Sequence, residues 1–285
     1  MAEEFKYIRY EGIEDGVARI VLARPDKRNA QSKALLYELN DALDLASHDD
    51  DCKVIVLAAD GPDFSSGHDM KDREPITHKP VGTWGGFTQP GVEGHWGFEE
   101  EVYLGLCWRW RNIPKPTMVE VQGRVIAGGL MLVWPFDIIV ASDDARFSDP
   151  VVAFGVNGVE YFGHPWEVGV RKAKEMLFTG EALTAEECKT LGMVNHVVTR
   201  EELTDFTMKM AKHIAGQPMV GLKLAKQSVN QMQDAQGLWP SLQAAMSLQH
   251  IGHAHERLIH NSGVAPEGGE KIKTQAKKSE SNKFD

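Results

Sequence analysis

The chain has 285 residues, of which 42% are hydrophobic and 25% charged, and its formal net charge at pH 7 is −10. A chain of this length can bury a substantial core, and its composition is typical of globular proteins. An acidic surface repels nucleic acid and anionic membranes, so the sequence predicts neither as a partner. No secretion signal or membrane span is expected, because the first residues lack an apolar core and no apolar run reaches about 18 residues.

The three cysteines, Cys52, Cys107 and Cys188, are scattered along the chain and form no Cys-x-x-Cys pair. Such a set predicts reduced thiols in a cytoplasmic protein and argues against a disulfide framework or a zinc site. We therefore expect no metal.

Two apolar, β-branched segments open the chain, at residues 17–22 and 53–58, and both predict buried strands. Between them, residues 32–46 carry leucines and alanines at helical spacing, which predicts a helix with one apolar face. The succession of strand, helix and strand predicts a layered α/β fold.

Residues 71–97 interrupt this pattern with several glycines and prolines and with the aromatic residues Trp84, Phe87 and Trp96. A long irregular stretch inside a compact domain is usually functional or disordered. The aromatic side chains favour a loop that closes over an apolar ligand, and plain surface disorder is the alternative.

The α/β pattern then resumes. Residues 99–112 predict a helix, 117–121 a strand, 128–134 a helix that opens after a glycine turn, and 137–141 another strand.

Helical spacing dominates from Pro165 onward, with amphipathic helices around residues 203–214, 220–232 and 239–258. The sequence thus predicts an α/β core at residues 1–197, a helical region at 198–261 and a tail at 262–285. The tail is rich in Lys, Glu, Ser and Gly, a composition that predicts disorder.

A basic corner follows the first predicted strand. Arg24, Lys27 and Arg28 lie in the segment ARPDKRNA, residues 23–30, where the strand gives way to the helix. Guanidinium and ammonium groups at such a corner can bind phosphates. A solvated basic turn is the alternative.

Two glycine turns come next, DFSSGHDMK at residues 63–71 and GRVIAGGL at residues 123–130. Small residues around Gly67 let the backbone turn tightly, and the second segment follows a strand and opens a helix. N–H groups at the N-terminus of a helix attract negative charge. Two such donors from separate turns can together hold a developing oxyanion.

The order and spacing of these segments resemble the crotonase, or enoyl-CoA hydratase/isomerase, superfamily. RPxxxNA, FSSGxD, IPKPT, VxGxxxxGG and FDIIVAS follow one another between residues 17 and 232, and residues 179–195 match as well. The resemblance implies a crotonase-like α/β spiral of repeated ββα units, with C-terminal helices that assemble subunits into trimers or hexamers. It also implies an acyl-CoA substrate and a role in fatty acid metabolism.

In proteins similar to this one, the thioester carbonyl lies between two backbone N–H groups, which by motif are those of His68 and Gly128. The resemblance implies that the CoA moiety lies against a group of residues near the basic corner: Arg24, Lys27, Arg28, Ser66 and Gly67. Coenzyme A, as part of the thioester substrate, is the only cofactor implied.

Two glutamates that hydratases of this family use are missing. The position three residues after Gly128 is Met131, and the position after the proline of FSDPV is Val151. The isomerase base of the family shares the second position. Both carboxylates are thus replaced by apolar side chains, which argues against hydration by the usual route.

Other polar residues are candidates to replace them. Asp149 precedes the lost glutamate by two residues, and a capping or surface role is its alternative. Glu160 and His164 lie in VNGVEYFGHPWEVG, where a helical segment would place His164 one turn beyond Glu160. Glu160 is an acid/base or nucleophile candidate whose pKa burial would raise, or else a structural ion-pair partner. His68 is a proton shuttle or a packing residue, and Asp69 is expected to cap the following helix and fix the turn.

Three functions remain open from the sequence. The chain is an acyl-CoA hydratase or isomerase that uses Glu160 or Asp149, a thioester hydrolase or carbon–carbon bond enzyme for a bulky acyl group, or an acyl-CoA binder without activity.

Overall fold

Two β-sheets form the α/β part of the protein, whose computed structural model describes residues 5–82 and 85–278. The strands are β1 (Ile8–Glu14), β2 (Val17–Leu22), β3 (Val54–Ala59), β4 (Thr117–Val121), β5 (Arg124–Ile126), β6 (Ile138–Ser142), β7 (Arg146–Ser148), β8 (Leu183–Thr184) and β9 (His196–Val198). The larger sheet has the order β1-β2-β3-β4-β6-β9, and all of its neighbouring strands are parallel except β1 and β2. The smaller sheet has the order β5-β7-β8.

Helices cover the sheets and form the C-terminal part. They are α1 (Lys33–His48), α2 (Gly91–Glu99), α3 (Leu106–Arg111), α4 (His164–Glu167), α5 (Val170–Thr179), α6 (Ala185–Leu191), α7 (Leu203–Ala215), α8 (Met219–Ala235), α9 (Leu238–His260) and α10 (Gly268–Lys278). No helix in the described ranges is long and apolar enough to cross a membrane.

The predicted strands and the predicted helix α1 are confirmed with small shifts at their ends, whereas the predicted helix at 128–134 is the 3₁₀ turn Ala127–Leu132. Residues 17–22 and 117–121 are strands at the predicted bounds, and β3 begins one residue later than predicted. Ser32 caps α1, since its hydroxyl accepts a hydrogen bond from the Leu35 N–H at 3.2 Å. Strand β1 was not predicted, because its burial alternates and polar residues interrupt its apolar pattern.

The predicted helix at residues 99–112 is not continuous. A π-helical turn, Glu100–Gly105, separates α2 from α3. The predicted irregular segment 71–97 includes most of α2, while Trp84 lies outside the described residues. Wide turns of this kind are rare and often occur at functional sites.

The tail differs from the predicted disorder as far as the structure describes it. Helix α10 occupies residues 268–278, and before it the Ala265 N–H donates to the Phe154 carbonyl at 2.8 Å. Gly268 lies so close to the Phe154 ring that a β-carbon there would be 2.9 Å from Cε1. Composition gave no sign of this contact, which joins residues more than a hundred positions apart.

The C-terminal helices differ in what they cover. Helix α7 buries Leu203, Ala211 and Ala215 against the outer face of the larger sheet. Helix α8 buries none of its residues, and Leu224 and Val229 on it are 58% and 68% exposed. An apolar surface of this kind is typical of faces that bind another protein.

Candidate active site

The two glycine turns meet in space. Gly67 has a φ of +86°, and a β-carbon on it would lie 2.7 Å from the Ile126 carbonyl oxygen and 3.2 Å from the Gly128 nitrogen. Isolated β-bridges join Ser65 to Val125 and Gln31 to His68, and these hold the turns together. Only glycine fits at position 67, because both the left-handed backbone and the close approach exclude a side chain.

Gly128 is the second residue of a 3₁₀ turn, Ala127–Leu132, which directly follows β5. As the second residue of the turn, its N–H has no partner within the turn. Its carbonyl accepts a hydrogen bond from the Gln31 side-chain amide at 2.5 Å, which fixes the peptide orientation. A β-carbon on Gly128 would be 2.6 Å from His68 Nε2, so the His68 ring lies directly over this backbone.

The His68 imidazole is clamped between Gly128 and the ring of Tyr103. The rings of His68 and Tyr103 stack with centroids 3.9 Å apart and planes 5° apart. Tyr103 comes from the π-helical turn, which therefore places an aromatic ring at the site. Burial lowers the pKa of His68 to about 4, so the imidazole is neutral at pH 7. The His68 side chain is therefore packed between its neighbours and also borders the site.

Glu160 faces His68 with a free oxygen. Its Oε2 lies 3.5 Å from His68 Nε2 and has no hydrogen-bond partner among the described residues, while Oε1 accepts from Gln249 Nε2 at 3.0 Å. Burial, followed by the negative charge of Glu99, raises the pKa of Glu160 well above its usual value. A buried carboxyl group with a raised pKa therefore stands beside a neutral imidazole.

Asp149 and His164 form a second, fully buried pair. His164 Nε2 lies 2.8 Å from Asp149 Oδ2, and neither side chain is exposed. The backbone N–H groups of Val159 and Val151 donate to the same carboxylate. Asp149 is therefore not a surface residue. Glu160 lies before α4 and outside any helix, so the suggested helical pairing with His164 is wrong, and His164 binds Asp149 instead.

The two positions that lack glutamate are packed. Met131 is 1% exposed, and its carbonyl accepts a hydrogen bond from the Cys107 thiol at 3.3 Å. Val151 is half-buried and begins the short 3₁₀ turn Val151–Phe154. Neither side chain can move a proton.

The basic corner separates into buried and exposed cations. The Arg24 guanidinium binds the Ala30 carbonyl and Asp69 Oδ2, both at 2.8 Å, and is only 16% exposed. Asp69 Oδ1 accepts from the N–H of Lys71, which closes a turn. Residues 71–82 contain no helix, so the predicted capping of a following helix is wrong, although Asp69 does fix the turn.

Lys27 and Arg28 are exposed, and they border the Ser66 turn, whose N–H donates to the Arg28 carbonyl at 2.9 Å. Of the predicted phosphate ligands, these two cations are the ones that solvent can reach.

Several residues of the site were missed from the sequence. Gln31 orients the Gly128 peptide, Tyr103 stacks on His68, Gln249 holds Glu160, and Glu99 adds a nearby charge. All four act across long sequence separations. The one local signal was Gln31, which directly follows the RPxxxNA segment.

Comparison with known proteins agrees with this architecture. The enoyl-CoA hydratase/isomerase family model matches residues 12–260, so the chain belongs to the enoyl-CoA hydratase/isomerase family. The crotonase resemblance and fold are thereby confirmed, as is an acyl-CoA enzyme at the level of the family.

Among its relatives is the Mycobacterium tuberculosis protein named "Putative enoyl-CoA hydratase EchA13", which is 44% identical over 88% of this chain and 82% of that protein. The 1,2-epoxyphenylacetyl-CoA isomerase of Escherichia coli is 30% identical over 76% of this chain and 80% of its own length. The crystal structure of a probable enoyl-CoA hydratase from Mycobacterium smegmatis superposes with a TM-score of 0.83 at 45% identity, covering 91% of this chain and 99% of that one.

Proposed function

We propose that this protein stabilises an acyl-CoA thioester enolate at the backbone N–H groups of His68 and Gly128, and that Glu160 moves the proton. The observation that carries this proposal is the free Oε2 of Glu160, buried and 3.5 Å from His68 Nε2 beside the Gly128 backbone. An acid/base group with a raised pKa next to unpaired backbone donors is suited to proton abstraction from the α-carbon of a thioester.

The thioester oxygen is the atom that the two N–H groups would bind. Removing a proton from the α-carbon places negative charge on that oxygen, and preorganised donors stabilise it more in the transition state than in the substrate. A β-carbon built on Gly67 would lie 3.2 Å from the Gly128 nitrogen. This close approach supports one position at which a single oxygen meets both N–H groups.

As a carboxylate, Glu160 would remove the α-proton, exchange it with solvent while protonated, and then deliver a proton to carbon. A single acid/base group can shift a proton from one carbon to another, whereas hydration needs one group to activate water and a second to protonate carbon. Met131 and Val151 supply neither. We therefore favour an isomerisation over hydration, and the relative named 1,2-epoxyphenylacetyl-CoA isomerase belongs to the same class of reaction.

The acyl group would be large and apolar. The rings of Phe98 and Tyr103 pack edge to face beside His68, with centroids 5.3 Å apart. The ring of Phe162 packs against that of His164, with centroids 4.5 Å apart. Lys27 and Arg28 are the exposed cations that would meet the CoA phosphates. The CoA moiety of the substrate is the only coenzyme that this proton transfer uses.

Assembly and location follow as further parts of the proposal. The exposed apolar residues on α8 support a trimer or hexamer built through the C-terminal helices. The three cysteines are free and buried, which fits the cytoplasm.

A panel of saturated, unsaturated and ring-bearing acyl-CoA thioesters tests the reaction. Incubation in D₂O with mass spectrometry of the products should show deuterium at the α-carbon and no gain of water. A gain of water would indicate hydration, and free CoA would indicate hydrolysis. Tight binding without exchange or product would mean that the protein only binds acyl-CoA, and each of these three results would contradict the proposal.

A further inference from the structure

A buried carboxylate surrounded by imidazoles lies outside the proposed reaction centre. Glu99, the last residue of α2, is 3% exposed. Its Oε1 lies 2.8 Å from His95 Nε2 and 3.5 Å from His253 Nε2, and its Oε2 lies 3.1 Å from His250 Nε2. Two helices, α2 and α9, therefore direct four potential metal ligands at one point.

The hydrogen bonding of His253 fixes where its lone pair points. Its Nδ1 lies 2.5 Å from the Gly263 carbonyl oxygen, and a carbonyl can only accept, so Nδ1 carries the proton. In the neutral ring, Nε2 then carries the lone pair. The Nε2 lone pair consequently faces Glu99 Oε1.

Several polar atoms around Glu99 have no hydrogen-bond partner among the described residues. These are Glu99 Oε2, His253 Nε2 and both ring nitrogens of His250. Glu99 Oε1 and His253 Nε2, which are both acceptors, lie 3.5 Å apart, and a cation held by both would stabilise this arrangement.

We propose that Glu99, His253 and His95 bind a divalent transition-metal ion of the zinc class. Their ligand atoms all lie within 4.8 Å of one another. Two ligands about 2.0 Å from a tetrahedral centre lie about 3.3 Å apart, and the distances of 2.8 and 3.5 Å bracket that value. Imidazole and carboxylate together suit zinc, and a water molecule would complete the tetrahedron. The expectation of no metal was based on the scattered cysteines, and no cysteine is among the three proposed ligands.

The contacts around the three ligands resemble those of a supported metal site. The Gly263 carbonyl orients His253, as outer partners of metal-bound histidines commonly do. His250 lies beside the second oxygen of Glu99 and can hold it.

Arg257 donates to His95 Nδ1 at 2.6 Å, and this leaves the proton of a neutral His95 on Nε2. For Nε2 to bind the ion, the proton must move to Nδ1 and the Arg257 contact must open.

Such an ion would join α2 to α9 close to the candidate active site. Gln249, which holds Glu160, directly precedes His250 on α9. The role of the ion would be to fix the segment that carries α2 against α9. This inference does not depend on the proposed reaction, because it concerns residues that the proton transfer does not use.

The test uses the untagged, full-length protein after treatment with EDTA. Isothermal titration with Zn²⁺ should give one site per chain, and Co²⁺ should produce the intense visible bands of a four-coordinate ion. His253→Ala should weaken binding at least ~100-fold. His255→Ala is the matched control, since His255 is an exposed histidine of the same helix, and it should bind like the wild type.

A second variant guards against misfolding of the first. His95 is 24% exposed, so His95→Asn should fold normally and still lose the Co²⁺ spectrum. Circular dichroism verifies folding of each variant. The proposal is wrong if the EDTA-treated wild type gives no four-coordinate Co²⁺ spectrum, if folded His95→Asn or His253→Ala binds as the wild type does, or if His255→Ala loses binding equally.

Discussion

Replacing Glu160 by glutamine should separate chemistry from structure at the proposed site. Glutamine has the same shape, its Oε1 can still accept from Gln249, and its amide can donate to His68 Nε2, which lies 3.5 Å from the present Oε2. Burial raises the pKa of Glu160, and the same environment accepts an uncharged amide of the same shape. The variant should therefore fold and bind acyl-CoA as the wild type does.

The loss should fall on the chemical step. A positioned acid/base group contributes about 10²–10⁴-fold in rate, which corresponds to roughly 3–5 kcal/mol in the barrier. We expect kcat for Glu160→Gln to fall by that factor on the substrate found in the panel. Affinity for an unreactive acyl-CoA analogue, measured by calorimetry, should change less than about threefold, because none of the proposed contacts with CoA involves Glu160.

Glu167→Gln is the matched control for this experiment. Glu167 is a second carboxyl group whose pKa burial raises, to about 8, and it lies on α4 away from His68 and Gly128. Its variant should retain wild-type kcat. If Glu160→Gln turns over almost normally while Asp149→Asn loses activity, the acid/base group is Asp149. Full activity in both variants would refute a carboxyl acid/base altogether.

Further predictions concern stability, the glycine turn and assembly. Asp149→Ala leaves His164 buried without its partner and should lower the free energy of unfolding by about 3 kcal/mol, as measured by urea denaturation. The raised pKa of Glu167 makes its contribution to stability fully present below about pH 4.5 and lost once the pH passes about 8; thermal melts of Glu167→Gln should show a smaller decline over this range than the wild type. Gly67→Ala should abolish turnover, because a side chain cannot fit at φ +86° beside the Gly128 turn, and normal activity would contradict the shared oxygen position. Light scattering should give a trimer or hexamer, and Leu224→Asp should shift it toward monomer; a wild-type monomer at micromolar concentration would exclude the assembly.

The family and most of the fold could be predicted from local sequence. The strand at residues 17–22 and the helix at 33–48 follow from side-chain periodicity, which reports whether one face or both faces of an element are buried. The tight turn at Gly67 follows from small residues and from the order of the motifs. These features were predictable because each depends on residues that are close in the chain.

The chemistry of the site was only partly predictable. Glu160 was a candidate from its position, yet its partner Gln249 is 89 residues away and its neighbour His68 is 92 residues away. The pairing of His164 with Asp149 rather than with Glu160 depends on where α4 begins, which the sequence pattern left open.

The sequence by itself determined the crotonase family, four strands of the larger sheet together with helix α1, and the absence of glutamate at positions 131 and 151. The tertiary structure alone decided that Tyr103 stacks on His68, that Glu160 is buried with one free oxygen, and that Glu99 meets the histidines of α9. The physical reason is that periodicity and motifs encode local backbone geometry. Burial and charge at a side chain are set instead by the distant segments that pack around it, and these determine its pKa and its partners.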